Sequence, residues 1–150
     1  MAVYKLDLND CIEDEYDLIG VHTTLECYHL AYFMNKNFGI QFERQPNLDA
    51  FEFYEFDDEK NRSLWNIISN KAIQETKATE QTQESLFEIS TEKVTYLLPE
   101  YKKIDYLIKI TDNTSDIQNM INKMNAIPQI ITTFAIDISN LKSKNNLNFY

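Results

Sequence analysis

The chain has 150 residues, 43% of them hydrophobic, and carries nine Tyr, nine Phe and one Trp against two Gly and three Pro; this suits one folded domain with a real core and excludes disorder. Fourteen basic against twenty-four acidic residues leave a net charge of −10, which opposes direct binding of nucleic acid. Two cysteines without a CxxC pattern exclude a disulfide framework, and no leader-like start or apolar run of about 18 residues is present, so the expected setting is the cytoplasm with no membrane contact.

In chain order, "VYKLDL" alternates apolar and polar side chains and predicts a strand over 3–8. The acidic stretch after it, with Glu13, Asp14, Glu15 and Asp17, precedes a helical pattern whose dipole those carboxylates would complement. A helix is predicted from Asp17 to Asn37, ending at Gly39, which suits a left-handed cap. Its apolar residues form two arcs, Leu18, Val21, Leu25, Tyr28 and Tyr32 on one and Ile19, Leu30 and Phe33 on the other. So much apolar surface needs more cover than one sheet face provides, and a homodimer is expected.

"IQFERQ" and "AFEFYEF" flank "PNLD" and read as a hairpin, and "SLWNIIS" is a third apolar run. The polar residues 74–83 read as a mobile loop or a solvated strand extension. "SLFEIS" and "KVTYLL" continue the sheet into "LLPEYKKIDYLIKI". There Val94, Tyr96 and Leu98 are expected to pair in a hairpin with a strand whose one face holds Ile104, Tyr106, Ile108 and Ile110, with Pro99 in the turn.

A second helix is capped by Asn113, Thr114 or Ser115 and buries Ile117, Met120, Ile121 and Met124. A last strand aligns Ile130, Thr132, Phe134, Ile136 and Ile138, and the tail 140–150 can dock or fray. The predicted fold is a single α+β domain spanning 1–150. Its form is a two-layer sandwich, a mainly antiparallel sheet of six to seven strands with two helices on one face.

Few groupings carry chemistry. His22, Glu26 and His29 fall at i, i+4 and i+7 of the predicted helix, but metal sites of that type draw ligands from other helices and the chain has no further histidine. No metal, cofactor or catalytic residue is assigned, and Cys27 would lie opposite both histidines. No glycine-rich phosphate loop or nucleophile-elbow motif is present.

"FEFYEFDDE" mixes aromatics with Glu52, Glu55, Asp57 and Asp58, an acidic patch able to attract a basic protein partner. Residues 100–150 hold six lysines and five acids, so the negative excess lies earlier in the chain. Lys102, Lys103 and Lys109 then read as guards of a strand edge. Glu100 suits a turn that takes backbone N–H groups. Asp105, beside apolar neighbours, must be paired or hydrogen-bonded and is expected to hold the turn or a nearby loop.

"LPEYKKIDY", Leu98 to Tyr106, resembles the signature of the IPExxxVDY family, a bacterial family of the Bacteroidota. Pro99, Glu100, Asp105 and Tyr106 match it, with Leu98 and Ile104 in place of Ile and Val. "LIGVHTTLECYHLAYFMNK" is similar to that family's N-terminal helix. The resemblance implies no activity and marks the four matching residues as a signature and binding candidate. The function expected is that of a non-enzymatic interaction or accessory protein. A small enzyme or ligand-binding protein using Glu100 and Asp105 is the alternative.

Overall fold

The computed structural model describes residues 16–77, 90–113 and 115–149. The strand read over 3–8, the carboxylates Glu13, Asp14 and Glu15, residues 78–83 of the polar segment 74–83 and "SLFEIS" up to residue 89 lie outside those residues, while 74–77 belong to a strand.

The first described element is a strand, β1 (Tyr16–Thr23), followed by a helix, α1 (Cys27–Phe38). This corrects the single helix over 17–37. Leu18, Ile19 and Val21 are all buried because β1 has a strand on each side and cover on both faces. A strand buried on both faces shows a continuous apolar run, which periodicity cannot separate from a buried helix. Asp17, expected at a helix start, instead accepts the Asn113 Nδ2 donor at 2.9 Å. The premise for a second subunit, one helix apolar around most of its girth, falls away. Gly39 does end α1, with φ of 64° and its N–H donated to Asn35 O.

Next come β2 (Glu43–Leu48), β3 (Phe51–Asp58) and β4 (Ser63–Ser69). The β2–β3 hairpin forms, but its turn is Asp49 and Ala50 rather than "PNLD". Pro46 stays inside β2, where the register shifts between Gln45 and Leu48. That is tolerated because β2 is an outer strand, where a missing N–H breaks no ladder.

A two-stranded ribbon, β5 (Lys71–Lys77) with β6 (Ser90–Tyr96), leaves the sheet after β4. The chain returns as β7 (Tyr106–Thr111), passes through α2 (Ile117–Asn125) and forms its last strand, β8 (Ile130–Ile136), before two short 3-10 turns. The six-stranded antiparallel sheet has the order β2-β3-β4-β7-β1-β8. The mixed α+β architecture is therefore the one expected.

One expected pairing is absent. Val94 pairs with Ile73 across the ribbon, while β7 lies between β4 and β1, so the two strands flanking "PEYK" do not form a hairpin. A short 3-10 turn over Pro99–Tyr101 redirects the chain between them.

Both helices cover one face, where Leu30, Met34, Met120, Ile121 and Met124 pack on Ile19, Val21, Ile67 and Ile108. Asp116 caps α2 by accepting the Gln118 N–H at 3.1 Å, while Asn113 accepts from Ser115 just before it. The other face is covered by irregular chain. There Leu97, Leu98, Ile104 and Leu147 pack on Leu18, Phe53, Ile68 and Leu107.

Two residues thus sit on faces other than those expected. Ile104 precedes the strand and packs with Leu107, not with Tyr106, and Ile130 joins the helix-side core through a register shift opposite His22 and Thr23.

The two outer strands are protected in different ways. β2 carries Glu43, Arg44 and Pro46, all poor pairing surfaces. β8 has no charge at all, but Asn125 at the end of α2 reaches Thr133: its Oδ1 accepts the Thr133 N–H at 2.8 Å and the hydroxyl at 2.7 Å. A side-chain amide thereby occupies the place of a neighbouring strand. Asn125→Ala should lower stability by about 1 to 2 kcal/mol by stranding these donors and raise the aggregation rate on mild heating. Thermal unfolding with light scattering checks both, and an unchanged scattering onset would show that Asn125 does not guard the edge.

Candidate functional site

The signature stretch closes one side of a groove of about 550 Å³, whose lining includes His22 of β1, Pro99, Tyr101 and Ile104 of the turn, and Thr132 and Phe134 of β8. The groove exists because β8 and the 99–104 turn stand on either side of β1 at Gly20. A Cβ there would lie 2.6 Å from Ile104 Cδ1 and 3.0 Å from Ile136 Cδ1, so glycine lets those side chains converge over β1, Ile104 within the groove lining. Phe134 keeps 37% of its surface open and its ring centroid lies 6.2 Å from that of Tyr101. A concavity whose open surface is mainly apolar, edged by polar side chains such as His22, Lys103 and Thr132, is a common form of binding site.

Asn70, which sequence reading passed over, positions the turn. It is fully buried at the corner where β4 becomes β5. Its Nδ2 donates to Tyr101 O at 2.8 Å and to Ile104 O at 3.0 Å, and its Oδ1 accepts Leu98 N–H at 2.8 Å. The backbone adds two further bonds, Asn70 N–H to Asp105 O and Leu97 N–H to Asn70 O. The only hint in the sequence is an Asn closing the apolar run "SLWNIISN", which reads as an ordinary turn former.

Asp105 is hydrogen-bonded, as a carboxylate beside apolar residues should be, but not to the turn or loop it was expected to hold. Its N–H donates to Val21 O at 2.9 Å, and its Oδ2 accepts His22 Nδ1 at 2.7 Å and Thr23 N–H at 3.0 Å. It holds the end of β1 and orients the His22 ring rather than the Glu100 turn. The side chain is 42% exposed, so water can replace part of what is lost on substitution. Asp105→Asn retains an acceptor for Thr23, and the histidine can change tautomer. We expect a loss of about 0.5 to 1.5 kcal/mol by urea unfolding; a loss above about 3 kcal/mol would mean the carboxylate charge itself holds the fold.

Glu100 clamps the C-terminal segment. Its Oε2 accepts the Lys142 and Ser143 N–H groups at 3.0 and 3.1 Å, and its Oε1 accepts the Ser143 hydroxyl at 2.6 Å. The serine hydroxyl is the chief reason its carboxyl is held below the ordinary range; burial opposes it, and the backbone N–H groups add to the lowering. Tyr106 points to the opposite side of the sheet, where its hydroxyl donates to Leu25 O at 2.7 Å and burial raises its pKa. Of the four signature residues, Pro99 and Glu100 line the groove, Asp105 braces it from behind, and Tyr106 ties the sheet to the start of α1.

The remaining candidates are dispersed. His22 lies in β1, Glu26 is the N-cap residue of α1, and His29 is exposed on α1 with its ring against Tyr28, so the i, i+4, i+7 grouping does not exist. Among the described residues no group of three or more His, Cys, Asp or Glu is placed to hold a metal ion. Cys27 is buried, and desolvation with a contribution from the Glu52 charge pushes its thiol up to about 12. A thiol so far from ionisation is a poor nucleophile.

Along β3 the four acids divide by strand alternation. Glu52 and Asp58 share the side of Tyr54 and Phe56, and Glu55 and Asp57 that of Phe51 and Phe53. Asp58 is occupied within its own turn, accepting both the N–H and Nδ2 of Asn61.

No helix among the described residues is long and apolar enough to cross a membrane. Comparison with protein families, curated proteins and solved structures finds no match to this chain.

Proposed function

We propose that the protein is a non-enzymatic accessory protein that works by binding, with the groove between β8 and the 99–104 turn as its receptor surface. The observation that carries this reading is the open wall of Phe134, Tyr101 and Pro99 over buried Ile104, in a concavity of about 550 Å³, a volume suited to a small amphipathic molecule. The engagement of Glu100 and Asp105 in holding the chain also supports binding over catalysis by that pair. The match of Pro99, Glu100, Asp105 and Tyr106 to its signature is what places the chain with the IPExxxVDY family in this reading. The low cysteine count and a buried, un-ionised Cys27 support a reducing, cytoplasmic setting.

The test is affinity capture from native cells by the wild type and by Phe134→Lys, followed by mass spectrometry of the retained small molecules and proteins. Phe134 is a partly open wall residue, so the lysine should block the groove while leaving the unfolding temperature close to that of the wild type. A species retained by the wild type and lost by the variant is the expected result. Identical sets from two folded proteins would refute the groove as the working surface.

A further inference from the structure

His22 is one of the groove's polar side chains, and its hydrogen bonding restricts what it can recognise. An ionised carboxylate only accepts, so with Asp105 Oδ2 at 2.7 Å the proton of the neutral ring is on Nδ1. The other nitrogen, Nε2, is then an acceptor, and it makes no hydrogen bond among the described residues. The Thr23 N–H on the same carboxylate oxygen, at 3.0 Å, fixes the orientation of the pair. A ring anchored at one nitrogen and open at the other suits a ligand that donates.

The charges around the same groove are unequally occupied. Glu100 is taken up by the Lys142 and Ser143 bonds, Asp105 by His22 and Thr23, and Lys102 holds its Nζ 5.7 Å above the Tyr96 ring. Lys103 lines the groove, is exposed, and makes no ion pair, hydrogen bond or ring contact among the described residues. An ammonium at the rim of an apolar groove favours an anion there.

We propose that the groove binds an amphipathic hydroxy acid: an aromatic or branched apolar body packed on Phe134 and Tyr101, a hydroxyl donating to His22 Nε2, and a carboxylate beside Lys103. This rests on the groove being the receptor surface and adds the chemical class of its occupant. The hydroxyl is the discriminating group. A compound lacking it forgoes that hydrogen bond, which weakens binding by a factor of about 5 to 10 for a hydrogen bond of ordinary strength.

The experiment is NMR titration of the full-length protein with 3-phenyllactate, with 3-phenylpropionate, which lacks the hydroxyl, and with 1-phenyl-2-propanol, which lacks the carboxylate. Phenyllactate should bind saturably and more tightly than either, with shifts centred on Gly20, Ile104 and Phe134. In His22→Phe the two acids should bind alike. In Lys103→Gln the advantage of the carboxylate should disappear while that of the hydroxyl persists. Should His22→Phe not fold, the His22 Nε2 nitrogen resonance of the unaltered protein reads the same contact, moving with phenyllactate and not with phenylpropionate.

No saturable binding of phenyllactate, or a hydroxyl preference that survives loss of His22 in a folded variant, would overturn the proposal. If the acids fail to bind while Phe134→Lys still loses a captured species, the hydroxy acid is wrong and the groove reading stands. If neither binds, both fail.

Discussion

Asn70→Leu should lower the stability of the protein by about 3 to 5 kcal/mol, among the largest effects expected from one substitution here. The side chain is fully buried and uses both amide hydrogens and its oxygen, binding Tyr101 O, Ile104 O and Leu98 N–H. Leucine fills a similar volume but leaves those three backbone groups without partners, those of Ile104 and Leu98 buried and that of Tyr101 partly so. Each unmet group costs roughly 1 to 3 kcal/mol, and partial relaxation of the turn brings the sum below the simple total. Asn70→Asp should be at least as damaging, since a carboxylate oxygen would face two carbonyl oxygens.

The measurement is urea unfolding followed by the fluorescence of Trp65, a buried core residue. A loss below about 1 kcal/mol would show that the turn holds its shape without Asn70. Because the 99–104 turn is one wall of the groove, any variant that remains folded should also lose the binding surface.

The second large effect concerns the C-terminal segment, which lies across the sheet face opposite the helices. Leu147 is fully buried, its carbonyl accepts Lys109 Nζ at 2.8 Å, and that ammonium lies between the rings of Tyr16 at 4.7 Å and Phe149 at 4.9 Å. Lys109 therefore anchors the segment rather than guarding a strand edge. Leu147→Ala leaves a cavity beneath the segment and should cost about 2 to 4 kcal/mol, measured by the same unfolding experiment. A loss below about 1 kcal/mol would mean that the segment lies on the sheet without contributing to its stability.

Acid should loosen the same segment from its other end. The folded pKa of Glu100 lies below its ordinary value, so its contribution is present above the usual carboxylate range of about 4.3 and is lost as pH falls through the lowered value. The Lys142 and Ser143 amides should lose protection from hydrogen exchange in that acid window, and Glu100→Gln should abolish the pH dependence. Protection that persists unchanged in acid would show that the clamp does not depend on the charge.

Local patterning determined a good deal. The alternation in "AFEFYEF", the helical spacing of Ile117, Met120, Ile121 and Met124, and Gly39 as a left-handed stop all state their structure through nearest neighbours along the chain, and the structure has them so. The mixed α+β class follows from those elements. That Asp105 would be hydrogen-bonded was legible, because a carboxylate between apolar residues must find partners, but its partners on β1 were not.

What the chain could not state locally was set by neighbours distant in sequence. Residues 16–23 are a strand because β7 and β8 flank them, and a run buried on both faces carries no period to distinguish strand from helix. The hairpin expected across "PEYK" yields to the bonds that Asn70 makes from 28 to 34 residues away. The groove is a product of the same long-range closure. His22, the 99–104 turn and Phe134 meet only once β1 lies between β7 and β8, and glycine at position 20 matters only because Ile104 and Ile136 converge there. Spacing along the sequence reports periodicity within one element, whereas a concave site is assembled from several, so its residues carry no common local signal.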